Sequence, residues 1–280
     1  MARSGTDFAE IRARRMRRRK LVRIVSAFLF LSALTLAFYG VLFRLSLFDV
    51  QNVHVLISGR LEGERLIEFV KTQFGQSFRA RVFGFGHMLG WPRRVSPEAL
   101  TASPIFKTVR VEKDFRRRTV VLSADTRIPV GIWCIQSERD PRELRTGEAY
   151  APTACAWFDR EGVKFESTFA AEGNLIPVVN DYSQTDRVLG KKILPDAFVP
   201  NLLAILEVAA ASDFGIREIK IADLSREEVE IRTHDGPALF FSLRFLPTDA
   251  RETLSRILAE HPKRNFEYID FRVPRRVFFK

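Results

Sequence analysis

Polar and apolar positions along this chain follow three different patterns. From Ile24 to Phe43, twenty consecutive residues carry no charge, and twelve of them are Ile, Val, Leu or Phe. As a helix rising about 1.5 Å per residue, this run is about 30 Å long, the thickness of a bilayer's hydrocarbon core. At roughly −0.3 to −0.6 kcal/mol each, its apolar residues favour insertion by on the order of −4 to −7 kcal/mol. A secretion signal has a shorter apolar stretch of about 7–15 residues and then a small-residue cleavage site. Here the nearest small pair, Thr35 and Ala37, lies inside the run, and Phe38-Tyr39 follows. The run predicts a retained transmembrane helix over residues 24–43.

Beyond it the period changes. In "DVQNVHVLISGR", Val53, Val55 and Ile57 alternate as in a half-buried strand that stops at Ser58-Gly59. "LEGERLIEFVKTQFG" returns to helical spacing through Leu66, Phe69, Val70 and Phe74, with Gly75 as C-cap. "RVFGFGHMLGWPRRV" has no period and reads as irregular. "SPEALTAS" predicts a helix with Ser96 as N-cap, Pro97 in its first turn and Pro104 as the stop. "KTVRVEKDF" and "TVVLSADTR" are strands joined by a basic turn at Arg116, Arg117 and Arg118. This is a β-α-α-β-β order, which suits a small sheet covered by two helices.

From Ile128 onward strands dominate: "PVGIWCI", "CAWFD", "VKFEST" and "LIPVVN", with a turn at Arg160-Glu161-Gly162. The helix "PNLLAILEVAAAS" comes next, then a meander of "IREIKIAD", "EVEIRTHDG" and "PALFFSLRF" turning at Asp235-Gly236. A last helix, "PTDARETLSRILAEHP", precedes "FEYIDFRVPRRVFFK", which reads as one terminal strand-like run. No internal repeat is present.

Charge sharpens the first segment. Residues 1–23 hold nine Lys and Arg against Asp7 and Glu10, so most of the chain's net +11 sits in this tail. Positive charge just before a span predicts a cytoplasmic N-terminus and an extracytoplasmic C-terminal part, with the tail also touching anionic membrane lipid. No nucleic-acid binding is expected, because a tail of 23 residues is too short to house a folded reader.

The two cysteines, Cys134 and Cys155, flank the polar stretch "IQSERDPRELRTGEAYAP". If the strands entering and leaving this tip pair, the thiols face each other, and a disulfide worth roughly 3 kcal/mol becomes available in an oxidising exterior. The alternative is two unpaired thiols, one of them in the core.

Motifs for catalysis are missing. "GFGHMLG" places its glycines at 84, 86 and 90, off the dinucleotide-binding spacing, and no P-loop, G-x-S-x-G or H-E-x-x-H occurs. His54, His87, His234 and His261 stand singly, without a metal-ligand partner at helical or turn spacing. Asp159 and Glu161 share a hairpin turn, where turn propensity explains them better than acid-base work. The expectation is a non-enzymatic chain with no metal and no cofactor.

The order of these parts resembles the FtsQ/DivIB family of bacterial cell-division proteins. The resemblance rests on "FDVQNVHVLISG" after the span, "SPIFKTVRVEKDFRRRTVVLSADTRIPVGIW", "AWFDREGVKF" at the family's strand–Asp–x–x–Gly–strand, and "FEYIDFR". It departs at Thr126-Arg127, where the family often has Glu-Arg, in the longer 79–95 stretch, and at Val273, often aromatic. The resemblance implies an α+β chain. Its parts would be a tail (1–23), a transmembrane helix (24–43), a β-α-α-β-β POTRA domain (48–126) and a mostly antiparallel β domain with flanking helices (127–280).

It further implies a divisome scaffold at the septum, bound to FtsB- and FtsL-like single-pass coiled-coil proteins and to other divisome membrane proteins. An extended FtsB segment would add to the last strand by β-augmentation. Residues expected to contribute are Tyr268, Asp270, Arg272, Val273, Arg275, Arg276, Val277, Phe278 and Phe279. Their chemistry fits on its own terms: Pro274 suits a sheet edge, the arginines deter promiscuous pairing and attract an acidic partner, and Val277, Phe278 and Phe279 add apolar contact. The other reading is a terminal strand that simply closes its own sheet. Competing functions are a POTRA-containing envelope or secretion assembly factor, which would carry several repeats or a barrel, and a membrane-anchored envelope enzyme, which would need clustered titratable residues.

Overall fold

A computed structural model describes residues 5–44, 48–59, 62–136, 154–169, 175–184, 186–212, 214–234, 236–261 and 266–280. The polar tip at 137–153 and Asp235 of the expected Asp235-Gly236 turn lie outside the described residues.

The uncharged run continues the basic segment in a single helix, α1 (Gly5–Arg44). Its part Arg15–Val41 contains an 18-residue window of mean hydropathy 2.2, long and apolar enough to cross a membrane, and none of that window is buried against protein. Apolar side chains left uncovered over such a length need a non-aqueous surrounding.

Next come β1 (Asn52–Ser58), α2 (Gly63–Phe74), α3 (Phe78–Phe83), α4 (Pro97–Leu100), β2 (Phe106–Asp114) and β3 (Thr119–Thr126). The three strands form a sheet in the order β1-β3-β2. The alternation foreseen in β1 holds: Val53, Val55 and Ile57 are half-buried and His54 is exposed. Phe69 of α2 sets its ring 5.1 Å from that of Phe106 in β2.

Of the 81–95 stretch read as irregular, only Arg81–Phe83 is helical, as the end of α3, and the rest is loop with one short turn at Met88–Gly90. Ser77 caps α3 by accepting from the Ala80 amide, and Gly84, at φ 68°, lets the chain leave. Burial of Met88 and Trp91 organises the loop after this helix, and the Trp91 indole donates to the Phe85 carbonyl at 2.8 Å. Long-range burial, invisible to a periodicity test, orders this stretch.

The remaining strands are β4 (Gly131–Ile135), β5 (Ala154–Phe158), β6 (Lys164–Thr168), β7 (Val178–Asp181), β8 (Ile216–Ile221), β9 (Glu228–Thr233), β10 (Ala238–Ser242), β11 (Tyr268–Val273) and β12 (Arg276–Phe279). They build one nine-stranded sheet ordered β12-β11-β10-β9-β8-β7-β4-β5-β6. Most pairings are antiparallel, but β10–β11, β7–β8 and β4–β7 are parallel. Parallel neighbours need a crossover, and two of these carry the helices α5 (Val199–Ala210) and α6 (Ala250–Glu260).

Side chains alternate across this sheet with period two. Val179, Ile219, Ile231, Leu239, Phe241 and Ile269 enter the main core with α5 and α6. The opposite face carries a small cluster around Ile132, Cys134 and Cys155. Cys134 faces Cys155 directly in the β4–β5 ladder, and the two form a disulfide.

By contacts the chain divides into two compact units. One comprises Met1–His54, Val70–Arg93 and Val111–Leu122; the other comprises Val55–Phe69, Arg94–Arg110 and Ser123–Lys280. In the second unit the Asp-x-x-Gly turn has a structural task. Asp159 accepts from the amides of Glu161 (3.0 Å) and Val163 (2.9 Å), and its other oxygen pairs with Arg127. Arg127 also donates to the Pro104 carbonyl at 3.0 Å. Gly162 sits at φ +74°, where an added Cβ would stand 2.7 Å from Val199. Glu161 receives hydrogen bonds from Lys107 and then Arg127, which hold its carboxyl below the usual range.

Asp159 is buried, and its partner's side chain is only 15% exposed. Removing one member of such a pair strands the other. Asp159→Ala should lower stability by about 3–5 kcal/mol in urea unfolding followed by circular dichroism.

Candidate partner-binding edge

The run "YIDFRVPRRVFFK" is a hairpin rather than one strand. Pro274 and Arg275 form its turn, with Arg275 in the left-handed region at φ 59°. β11 therefore lies one place inside the sheet, and β12 is the edge. Tyr268, Asp270, Arg272 and Val273 belong to β11; Arg276, Val277, Phe278 and Phe279 belong to β12; Arg275 is in the turn. The structure brings all nine expected residues to one corner of the sheet. Cys134 and Cys155 are elsewhere, on β4 and β5.

The two faces of the hairpin differ. Val277 and Phe279 pack against the main core. Phe278, paired with Asp270, is 49% exposed on the opposite face. There Arg272 forms a staple across three strands. Its Nη2 and Nε donate to Asp270 at 2.7 and 2.9 Å, and its Nη1 reaches Glu228 of β9 at 3.0 Å. On the way the guanidinium lies 5.0 Å from the centre of the Phe240 ring in β10. The hydrogen bonds to Asp270 raise the Arg272 pKa further, so it stays charged. Burial pushes the Asp270 pKa up, but hydrogen bonds from Arg272 pull it more strongly, and the carboxyl ends below its ordinary 3.8.

Sequence reasoning assigned Arg272 to attracting a partner, whereas its guanidinium is committed within the sheet. Arg275 and Arg276 remain exposed beside the edge, and no ion pair to them occurs among the described residues. Glu228 and Phe240 escaped the sequence reading. "EVEIRT" signalled an outward Glu228, but nothing local places β9 two strands from β11.

The sheet has two edges. At the start of β6, the segment 190–193 pairs with residues 162–164: Lys164 N–H donates to Lys191, Gly190 N–H to Lys164, and Ile193 N–H to Gly162. β12 has one strand neighbour, β11. Lys280 bonds inward through both its amide and its carbonyl, to Tyr268 and Glu267. Backbone direction alternates along an antiparallel strand, so the Val277 amide and carbonyl point out of the sheet. Next to this edge, between α6 and the hairpin, runs a groove of about 550 Å³ lined by Leu246, Ala250, Thr253, Phe271, Val277 and Phe279 among others.

Among the described residues, no group of three or more His, Cys, Asp or Glu is placed to hold a metal. No protein-family model matches this chain, and no curated protein matches it.

Lysine keeps the charge at 272 but loses the fork. Arg272→Lys should cost about 1–2 kcal/mol in chemical unfolding, a value discounted for partial exposure. Because the folded Asp270 pKa is depressed, its stabilisation is present above the unfolded value of 3.8 and is lost as pH falls through the lower folded value. Asp270→Asn should therefore flatten the fall in stability between neutral pH and pH about 3.

Proposed function

We propose that this chain is a non-enzymatic, single-span membrane scaffold of the FtsQ/DivIB kind. Its basic tail is cytoplasmic and the residues after α1 are extracytoplasmic. It binds FtsB- and FtsL-like coiled-coil proteins at the division septum, with residues 48–126 acting as a POTRA domain. An extended segment of the partner adds to the outer side of β12.

The observation that carries this reading is the asymmetry of the sheet edges. An uncovered strand edge is an aggregation hazard unless blunted or occupied. β6 is paired at its first residue, Lys164, by a returning segment, whereas among the described residues no such segment pairs with the outer side of β12, which has Arg275 and Arg276 beside it. Backbone pairing would give affinity, while the exposed Phe278 and the two arginines would select an acidic, partly apolar segment.

Proline at 277 tests this with little disturbance of the fold, because the amide it removes points away from β11. In native membranes, crosslinking and purification of the full-length protein should recover small single-pass coiled-coil proteins. Val277→Pro and a chain ending at Glu267 should each lose them by at least about tenfold, with the thermal unfolding of Val277→Pro unchanged. Equal recovery with Val277→Pro would remove the edge mechanism. Absence of any such partner from all samples would remove the scaffold reading.

A further inference from the structure

A second surface lies in the unit that contains α1. Outside the helix and its tail, this unit consists of residues 48–54, 70–93 and 111–122. Those segments hold eight Lys and Arg against Asp49, Glu112 and Asp114, a net +5. All other residues from 24 to 280 together hold 28 basic against 29 acidic side chains, a net −1. The net positive charge of the chain beyond its tail is thus carried by these three segments.

Their geometry ties that charge to the point where the chain leaves α1. Between Arg44 and Phe48 there are four Cα steps, which span at most about 14 Å. The chain is clamped as soon as it has crossed that gap. Phe48 stacks on His87 at 5.4 Å and meets Phe115 edge-on at 6.1 Å. Val50 N–H donates to Gly86, and Gln51 N–H to Arg118. The loop after α3 and the turn between β2 and β3 therefore flank the residues that emerge from the helix. His87 also stacks on Phe83, the last residue of α3.

α3 and the β2–β3 turn both interleave aromatic or aliphatic residues with arginine, as "FRARV" and "FRRR". Phe78, Val82 and Phe115 are 79%, 38% and 45% exposed. Arg79, Arg81, Arg93, Arg116 and Arg117 are exposed as well. Arg117 reaches Asp114 at 3.8 Å, while no ion pair to Arg79, Arg93, Lys113 or Arg116 occurs among the described residues. Lys113 donates to the Trp91 carbonyl at 2.7 Å. Burial, then Arg79 and Arg93, push its pKa down to about 8. Cations crowded enough to oppose one another's charge gain from a nearby anion.

We propose that α3 and the β2–β3 turn, through Arg79, Arg93, Lys113 and Arg116 with Phe78 and Phe115, dock on anionic lipid headgroups of the leaflet from which α1 emerges. The inference rests on α1 crossing a bilayer, and it holds for either orientation of the span. Arginine stems and phenyl rings suit the headgroup boundary, where the charged ends meet phosphate and the apolar parts meet the acyl region. Each cation near an anionic surface contributes roughly fivefold in affinity, screened within about 8 Å at physiological salt. Docking would hold α3 and the β2–β3 turn at the membrane surface.

The test uses the full-length chain in nanodiscs of phosphatidylcholine alone or with about one third phosphatidylglycerol, read by amide hydrogen exchange. Residues 76–86 and 114–119 should exchange several-fold more slowly in the anionic discs. About 0.5 M salt, or the variant Arg79→Gln/Arg93→Gln/Arg116→Gln, should abolish the difference. Unchanged exchange in β8–β10 reports that the variant is folded. Equal exchange in both discs overturns the docking, as does slowing that the variant retains. Fast exchange of Ile24–Val41 in both discs would show that α1 does not span, a failure distinct from that of the patch.

Discussion

A β-sheet must end somewhere, and at each end a row of amides and carbonyls faces away from the ladder. That constraint organises the larger part of this protein. Nine strands share one hydrogen-bonded surface, and each edge is handled differently. At the start of β6 the chain returns through residues 190–193 and supplies backbone partners to Gly162 and Lys164. At β12 the last hairpin is turned by Pro274 and Arg275, and the outward groups of Val277 are left for something else.

The proposed use of the β12 edge as a binding template requires that edge to be held rigid. Two parallel crossovers put α5 and α6 on one face of the sheet, burying the inward residues of every strand from β7 to β11. On the other face Arg272 ties three strands together through Asp270, Phe240 and Glu228. An edge strand that frayed would lose the ordering entropy its partner depends on. The groove beside α6 continues the same corner, so a partner strand arriving at β12 would find an apolar surface next to the backbone it pairs with. Structure and proposed binding draw on the same packed layer.

The smaller unit solves a different problem. If α1 crosses a bilayer, segments joined to it by a few residues lie beside the headgroups. Positive charge is gathered in the segments that clamp Phe48, Val50 and Gln51. The rest of the extramembrane chain is close to neutral, which leaves the β12 corner, with Arg275 and Arg276, as a local and separate basic feature.

Local patterns determined a good deal without help. The uncharged run from Ile24 to Phe43, the alternation of Val53, Val55 and Ile57, and the period of Leu66, Phe69 and Val70 all became the elements their spacing implied. These signals are legible because each element must bury its own apolar face, whatever it packs against. The Asp159-Arg160-Glu161-Gly162 turn was legible for a similar reason, since the aspartate bonds amides two and four residues on. Tertiary structure alone decided the rest. The capped helix α3 depends on a tightly packed loop around Trp91, and the division of the last run into β11 and β12 depends on a left-handed Arg275. Arg272 looked available because its partner Glu228 lies 44 residues away, two strands over. Strand order and register arise from pairings between distant segments, and no residue's neighbours in sequence carry that information.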